Sequence, residues 1–410
     1  MNHELPAVAG LLCLQSFSCD CIDLSAKGYA TFSDLQQVED LAIRNLKWWK
    51  RLVCPPKLTK LSMYSCLAFV SFAEVTSEAP GSRLVHGDFR RCYNLDLEQL
   101  RPVLLSSKLR SLSFVECPEL VLDDFPPHAH LERLVAKPCL TRNLTWLLGL
   151  SRLLHLQLDQ CEYIDGNSLA RLRTLQSLEV TLRARLHQTM SQWGLSRDLP
   201  ELSQFLATEQ FSCAQAERLG KKESLRVLTF RQVPLGDYTA LALCAAFPCL
   251  QELRLELCDV GRPRALAQLA QLRLRVLVLK CSGLQDQTLA LPSTLQDLTS
   301  QHVDLQSPTG RRPRVGRHGL TNRGLERLSA LTQLQALHLL SLRYITAEGL
   351  AILHRSLRHL RIVDCRGIQP QEVATLTWQL QLDSLVISSD APLSRADFAP
   401  GLELTRVAQP

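Results

Sequence analysis

Residues 356–368 read SLRHLRIVDCRGI. Leu357, Leu360 and Ile362 stand three and then two residues apart, and Cys365 follows three further on. Apolar residues alternating with polar ones describe a short β-strand with one side turned inward and the other outward. Whether the cysteine does chemistry or packs depends on whether this frame, LxxLxLxxC, stands alone.

The frame recurs as LTKLSMYSC (58–66), LRSLSFVEC (109–117), LERLVAKPC (131–139), LLHLQLDQC (153–161) and LQELRLELC (250–258), with a weaker copy, LVHGDFRRC, at 84–92. Seven further copies, starting at Val38, Leu175, Leu225, Leu274, Leu295, Leu334 and Leu382, keep the apolar spacing without the cysteine, which makes fourteen in all. First positions from Leu84 to Leu175 lie 25, 22, 22 and 22 residues apart, a period that belongs to strand-and-return repeats. One such repeat cannot bury its apolar side alone, so neighbours must stack into a parallel sheet over a continuous core.

Return segments follow the better copies. Ile164-Asp165 leads to NSLARL, Ile345-Thr346 to AEGLAIL and Ile368 to QPQEVATL, while Thr321 opens NRGLERLSAL. Asp165, Thr321 and Thr346 suit helix N-caps, because their side-chain oxygens accept from free amides of the first turn. Leu169 with Leu172 and Leu350 with Leu353 share a helix side that faces the sheet. The expected fold is α/β: a leucine-rich repeat solenoid, a horseshoe with a parallel concave sheet and short convex helices.

The seven ninth-position cysteines are Cys66, Cys92, Cys117, Cys139, Cys161, Cys258 and Cys365. Catalysis or metal binding would need His or Cys partners converging on one point, and one cysteine per strand does not supply them. The expectation is packing, since free Cys behaves as a small apolar side chain. CEYIDGNSLARL (161–172) and LRYITAEGLAIL (342–353) resemble the cysteine-containing class of leucine-rich repeats, as in the substrate-binding halves of F-box proteins of cullin-type ubiquitin ligases. The resemblance covers about 35–390 and implies a protein partner held by the concave strands or adjoining loops, with ubiquitin ligase subunits among the expected partners. Leu5-Pro6 and WWKRLV (48–53) are spaced too widely for an F-box, so no convincing F-box is read.

The expected layout is an N-terminal cap at 1–34, which a degenerate repeat would also fit, then repeats at 35–183. An irregular or helical insertion or degenerate repeat at 184–224 precedes a second block at 225–390, with a basic loop at 303–318 and a tail at 391–410. That loop contains SPTGRRPRVGRHG (307–319), and Arg311, Arg312, Arg314 and Arg317 in it are candidate contacts for phosphate or an acidic partner.

On the strands, the solvent-facing candidates for a partner are Lys60, Tyr64, His86, Asp88, Arg90, Arg133, Lys137 and His155, with Arg254, His338 and Arg361 further along. The first group leans basic, which would steer a partner with acidic patches. Binding of nucleic acid or a phosphate ligand through the arginine loop and basic strands is the alternative function, and nucleic acid is the less favoured partner. Net charge +6 and pI about 8.6 are mild for 410 residues.

Apolar residues make up 46% and charged residues 21%, an ordinary globular balance. No apolar run approaches the ~20 residues of a membrane span, and Glu4 without a preceding Lys or Arg does not suit a secretory signal. Fifteen scattered cysteines fit a reducing compartment, so the expectation is cytoplasmic, with the nucleus second. Phosphate-cradling glycine loops, HExxH and GxSxG are absent, and neither Cys19/Cys21 nor His128/His130 has a second half at ligand spacing. No enzymatic activity, cofactor or metal is expected.

Overall fold

The computed structural model describes residues 14–20, 29–32, 35–45, 51–66, 83–138, 141, 144–161, 168, 172–182, 224–231, 246–259, 269–282, 286, 291–302, 320–388 and 395–407. It divides into two units, Met1–Arg183 and Ala184–Pro410.

The strands of the first unit are β1 (Ser16–Asp20), β2 (Tyr29–Thr31), β3 (Asp40–Arg44), β4 (Arg51–Val53), β5 (Lys60–Tyr64), β6 (His86–Arg90), β7 (Ser111–Val115), β8 (Arg133–Lys137), β9 (His155–Cys161) and β10 (Ser177–Leu182). All but β2 and β4 form a parallel sheet in chain order; β2 and β4 pair with each other. The second unit continues with β11 (Val227–Arg231), β12 (Glu252–Asp259), β13 (Val276–Ser282), β14 (Asp297–His302), β15 (Ala336–Leu340), β16 (His359–Val363), β17 (Ser384–Ser388) and β18 (Glu403–Val407), again parallel and in chain order.

Each of the fourteen frames carries one of these strands, with its fourth and sixth residues inward. In the opening stretch Leu360 is 1% and Ile362 2% exposed. Register keeps equivalent positions side by side: Leu360 pairs with Leu337 on one side and Leu385 on the other, and Ile362 with Leu339 and Ile387. A backbone feature fixes this register. Among the described residues the carbonyl of the second residue accepts two N–H groups from the next repeat in twelve of the frames, as Glu39 does from Thr59 and Lys60 (2.8 and 2.9 Å) and Gln335 from Arg358 and His359 (2.8 and 2.9 Å).

The strand pattern runs one strand past the frames at each end. In β1, Phe17 and Cys19 pair with Leu41 and Ile43. In β18, Leu404 pairs with Leu385, but Arg406 stands beside Ile387 and is exposed. A charged sixth residue terminates the apolar column there.

The sixth-position column is apolar apart from Ser300, which lies between Leu279 and Leu339. Its side chain is buried and its hydroxyl has no hydrogen-bond partner. An unsatisfied buried hydroxyl costs stability, so Ser300→Ala is expected to raise unfolding free energy by about 1 kcal/mol. Urea titration of the variant checks this; an unchanged or lower midpoint contradicts it.

Four α-helices are described: α1 (Leu97–Leu104), α2 (Asn322–Leu328), α3 (Ala347–Ala351) and α4 (Pro370–Leu380). The last three match the return segments read from the sequence, and Thr321 caps α2 by accepting from the Arg323 N–H at 3.2 Å. Thr346 differs. Its side chain makes no cap bond to α3; instead its Oγ1 accepts from Asn322 Nδ2 at 2.8 Å, and its N–H donates to Asn322 Oδ1 at 3.0 Å. A helix-to-helix clamp thus replaces the expected cap. Asp165 and Leu169 lie outside the described residues.

His128 is buried in a return segment of the first unit. Its Nε2 lies 2.9 Å from the Ser106 carbonyl, which only accepts, so Nε2 carries the proton; Nδ1 is left buried and unpartnered. Burial lowers its pKa from the ordinary 6.5, with His130 and Arg110 adding to the effect. Above 6.5 both folded and unfolded chains hold it neutral. Below that value the unfolded chain takes a proton that the folded one resists, so stability falls as pH falls. His128→Gln, which retains a donor for Ser106, is expected to flatten the loss of thermal stability between pH 6.5 and about 5. An identical slope in both proteins excludes His128 as its source.

Candidate functional site

The strands leave the sheet through a conformation that the frame alone does not announce. Asn45, Ser65, Arg91, Glu116, Gln160, Ser341 and Asp364, each the eighth residue of its frame, have φ of 53–56°. Left-handed backbone disfavours branched side chains, and none of the fourteen eighth positions is Val, Ile or Thr. Part of the strain is offset by hydrogen bonds: Ser65 N–H reaches the Arg90 carbonyl at 2.8 Å, and Ser341 N–H the Val363 carbonyl at 2.8 Å.

That turn swings the ninth residue inward. Cys66, Cys92, Cys117 and Cys365 are all buried, and each thiol points back at the carbonyl two residues earlier. Three also donate to the sixth-position carbonyl of the preceding repeat: Cys92 to Met63 (3.7 Å), Cys117 to Phe89 (3.5 Å) and Cys365 to Leu339 (3.4 Å). Cys139 and the side chains of Cys161 and Cys258 lie outside the described residues. The geometry is structural, with the thiol closing the turn.

Burial pushes Cys54 up to about 12 and Cys365 up to about 11. At Cys92 the Cys117 thiol pulls downward, but Cys66 and burial carry it to about 12; Cys117 is raised by Cys92 and burial. Thiolate is the reactive form, so these four cysteines are expected to resist iodoacetamide at pH 8 in the folded protein and to react after urea unfolding. Peptide mass spectrometry reads the outcome, and rapid native labelling of Cys92 or Cys365 contradicts it.

On the solvent side the third, fifth and seventh residues form columns. In the first unit Ala42, Ser62, Asp88, Ser113, Val135, Gln157 and Glu179 lie in register, and in the second Thr229, Arg254, Val278, Thr299, His338, Arg361 and Val386 do so. Every strand candidate read from the sequence stands on this side. Tyr64, Asp88 and Arg90 come together: the Arg44 and Arg90 guanidiniums each lie 5.6 Å from the Tyr64 ring centre, and Arg90 bridges Asp88 at 3.0 Å. Lys60 bridges Asp40 at 2.8 Å, and His86 stands between Lys60 and Ser111.

The basic lean of the first unit is smaller than its cations suggest. Arg91 bridges Glu116 at 2.5 Å and Arg110 bridges Glu132 at 3.5 Å, so carboxylates one strand away answer several of the cations. Such cross-strand charge pairs stabilise a sheet modestly. Arg133 and His155 are not answered in this way. They pair in register on β8 and β9 and, among the described residues, make no hydrogen bond or ion pair with another side chain. Lys137, the seventh residue of the same frame, ends β8.

Beside Arg133 and His155 the sheet surface dips into an open depression of about 140 Å³, rimmed also by Val135, Gln157, Ser177 and Glu179. The strand backbone at Leu134 and Leu156, whose side chains point inward, forms its floor. Ser177, Gln157 and Glu179 were not singled out by sequence reasoning; their third and fifth frame positions were the available signal.

In the second unit Glu256 bridges Arg231 (2.7 Å) and accepts from Lys280 (3.1 Å), and Arg254 bridges Glu252. Although burial raises the Glu256 pKa, these two cations outweigh it and hold the carboxyl below its usual range. Asp297 lies 3.7 Å from His338; burial pushes Asp297 up and His338 down. His359 Nδ1 is 2.8 Å from Ser384 Oγ, and Arg361 pairs in register with His338. Among the described residues no group of three metal-ligating side chains converges. The arginine cluster Arg311, Arg312, Arg314 and Arg317 lies outside the described residues.

No family model and no curated protein matches the chain. Among solved structures it is similar to an internalin from Listeria monocytogenes (15% identity, 74% of this chain and 80% of that one, TM-score 0.43). It is also similar to a circular leucine-rich repeat protein, CroV588 (12% identity, 90% and 56%, TM-score 0.39), and to a chain of the yeast Rad7–Elc1 complex (17% identity, 76% and 83%, TM-score 0.34). The fold is a leucine-rich repeat solenoid. Its repeat geometry is carried by this chain's own register, period and inward columns, and among the described residues no helix is long and apolar enough to cross a membrane.

Proposed function

We propose that the chain is a non-catalytic protein–protein interaction module, an adaptor or scaffold that holds its partner on the outward side of the strands. The observation that carries this reading is the Arg44–Tyr64–Arg90 constellation, which sets an aromatic ring between two guanidiniums on a rigid sheet. Tyr and Arg are the side chains that dominate binding hot spots, and a rigid platform spends little entropy in presenting them. The site residues proposed for contact are those of the strand face, from Lys60 to His155 and from Arg254 to Arg361.

The finer reading, substrate recognition within a cullin-type ubiquitin ligase, rests on the resemblance of the cysteine-ended repeats to those of F-box proteins. Affinity purification of the full chain, of a Tyr64→Ala/Arg90→Ala variant and of a chain lacking 303–318 tests both levels. A partner retained by the wild type and lost by the double variant supports the strand face. Recovery of no cullin or adaptor subunit removes the ligase version, and partners retained equally by all three chains remove the strand-face reading.

Nucleic-acid binding through the basic strands is weakened by the carboxylates already bridging Lys60 and Arg90. It predicts affinity that falls steeply with salt as phosphate counterions are released.

A further inference from the structure

We propose, resting on the interaction reading above, that the depression over β8–β10 is the anchor point for an extended acidic segment of a protein partner, whose carboxylate side chain sits between Arg133 and His155.

Size sets the first limit. A volume of about 140 Å³ is well short of the roughly 300–1,000 Å³ of small-molecule and cofactor pockets. It has room for one side chain, and its open mouth lies on a strand surface across which a peptide can run. The Val135 side chain at the rim receives the methylene part of an acidic side chain.

Charge sets the second. Arg133 and His155 project from adjacent strands in register and lack a carboxylate of their own, whereas Lys60, Arg90, Arg91 and Arg110 are answered by Asp40, Asp88, Glu116 and Glu132. A carboxylate placed beside them gains charge-assisted hydrogen bonds without breaking an existing bridge. Ser177, the third residue of the next frame and the first of β10, adds a hydroxyl donor.

The test pans a random-peptide phage library on the full chain. Enriched peptides are then measured by fluorescence anisotropy against the wild type, Arg133→Gln, and Arg91→Gln, which lies on the same sheet outside the depression. The enriched peptides should share an acid at one position. Arg133→Gln, or replacement of the peptide's acid by its amide, should weaken binding about 10- to 100-fold. Both changes together should cost little more than either, and Arg91→Gln should leave affinity unaltered.

Enriched peptides with no fixed acid, or an equal loss in Arg91→Gln, overturn the anchor while leaving the interaction reading intact, because a peptide is still held. No enrichment by a chain shown by its melting transition to be folded overturns both. Glutarate or inorganic phosphate binding alone as tightly as the enriched peptides overturns the assignment to a protein segment and makes the depression a small-anion site.

Discussion

Replacing Phe114 by alanine is expected to lower the unfolding free energy by about 3–5 kcal/mol, a large part of the stability of an ordinary domain. Phe114 is the sixth residue of its frame, buried on β7 and stacked on Phe89 of β6 with ring centres 5.7 Å apart. The two rings also make up for a missing leucine. Gly87 on β6 holds the fourth position of its frame, and a Cβ built there would stand 2.9 Å from Leu112 Cδ1 and 3.1 Å from Phe89 Cε2, so neighbouring side chains already fill the space. Alanine at 114 therefore opens a cavity that a stiff sheet cannot close.

Because each repeat touches mainly its neighbours, the damage should be local. Urea titration gives its size, and amide exchange should show protection lost first on β6, β7 and β8. A loss under about 1 kcal/mol, or one spread evenly over the first unit, contradicts this account. Ser113→Ala, one residue away on the solvent side, should be nearly silent.

Gly367→Ala is the second large effect, in the second unit. A Cβ at 367 would lie 2.3 Å from the Ile345 carbonyl oxygen and 3.2 Å from that of Arg343. Both obstacles are backbone of the preceding repeat, which no rotamer change can move, and overpacking of this kind costs about 1–3 kcal/mol. The demand is steric, since the positive φ of a described glycine is found at Gly401 instead. Gly367→Ala should therefore lower the thermal midpoint, and Gly367→Val should lower it further. Gly401→Ala, with nothing within 4 Å, should cost only its backbone strain, roughly 1–2 kcal/mol. An alanine at 367 that leaves melting unchanged shows that the two return segments can move apart.

The strands were legible because two inward residues per repeat suffice to mark them. Leu41 and Ile43, or Leu360 and Ile362, alternate with polar neighbours at a period that no helix shares. The ninth-position cysteines were legible too, as small residues recurring where a strand ends. Left-handed backbone at the eighth position was not, because its trace is only a missing residue class: Asn45, Ser65, Arg91 and Glu116 share no side-chain chemistry. Helix α1 escaped although Asp96 and Gln99 form a capping box, Gln99 N–H donating to Asp96 Oδ1 at 2.7 Å and Asp96 N–H to Gln99 Oε1 at 3.2 Å.

Charge was the least readable part of the candidate site. Lys60 and Arg90 look like free cations in one dimension, and only register brings Asp40 beside the first and rotamer choice folds Asp88 onto the second. The same three-dimensional information leaves Arg133 and His155 unanswered. Their frame positions are no different from those of the bridged residues.

The doubled backbone hydrogen bond to most second-position carbonyls has a consequence for how such a chain diversifies. Pitch and alignment are held chiefly by peptide groups, which every sequence possesses, so the outward side chains carry only a small share in keeping the scaffold. They can be rewritten one address at a time, and a new clientele can be acquired without renegotiating the architecture beneath it.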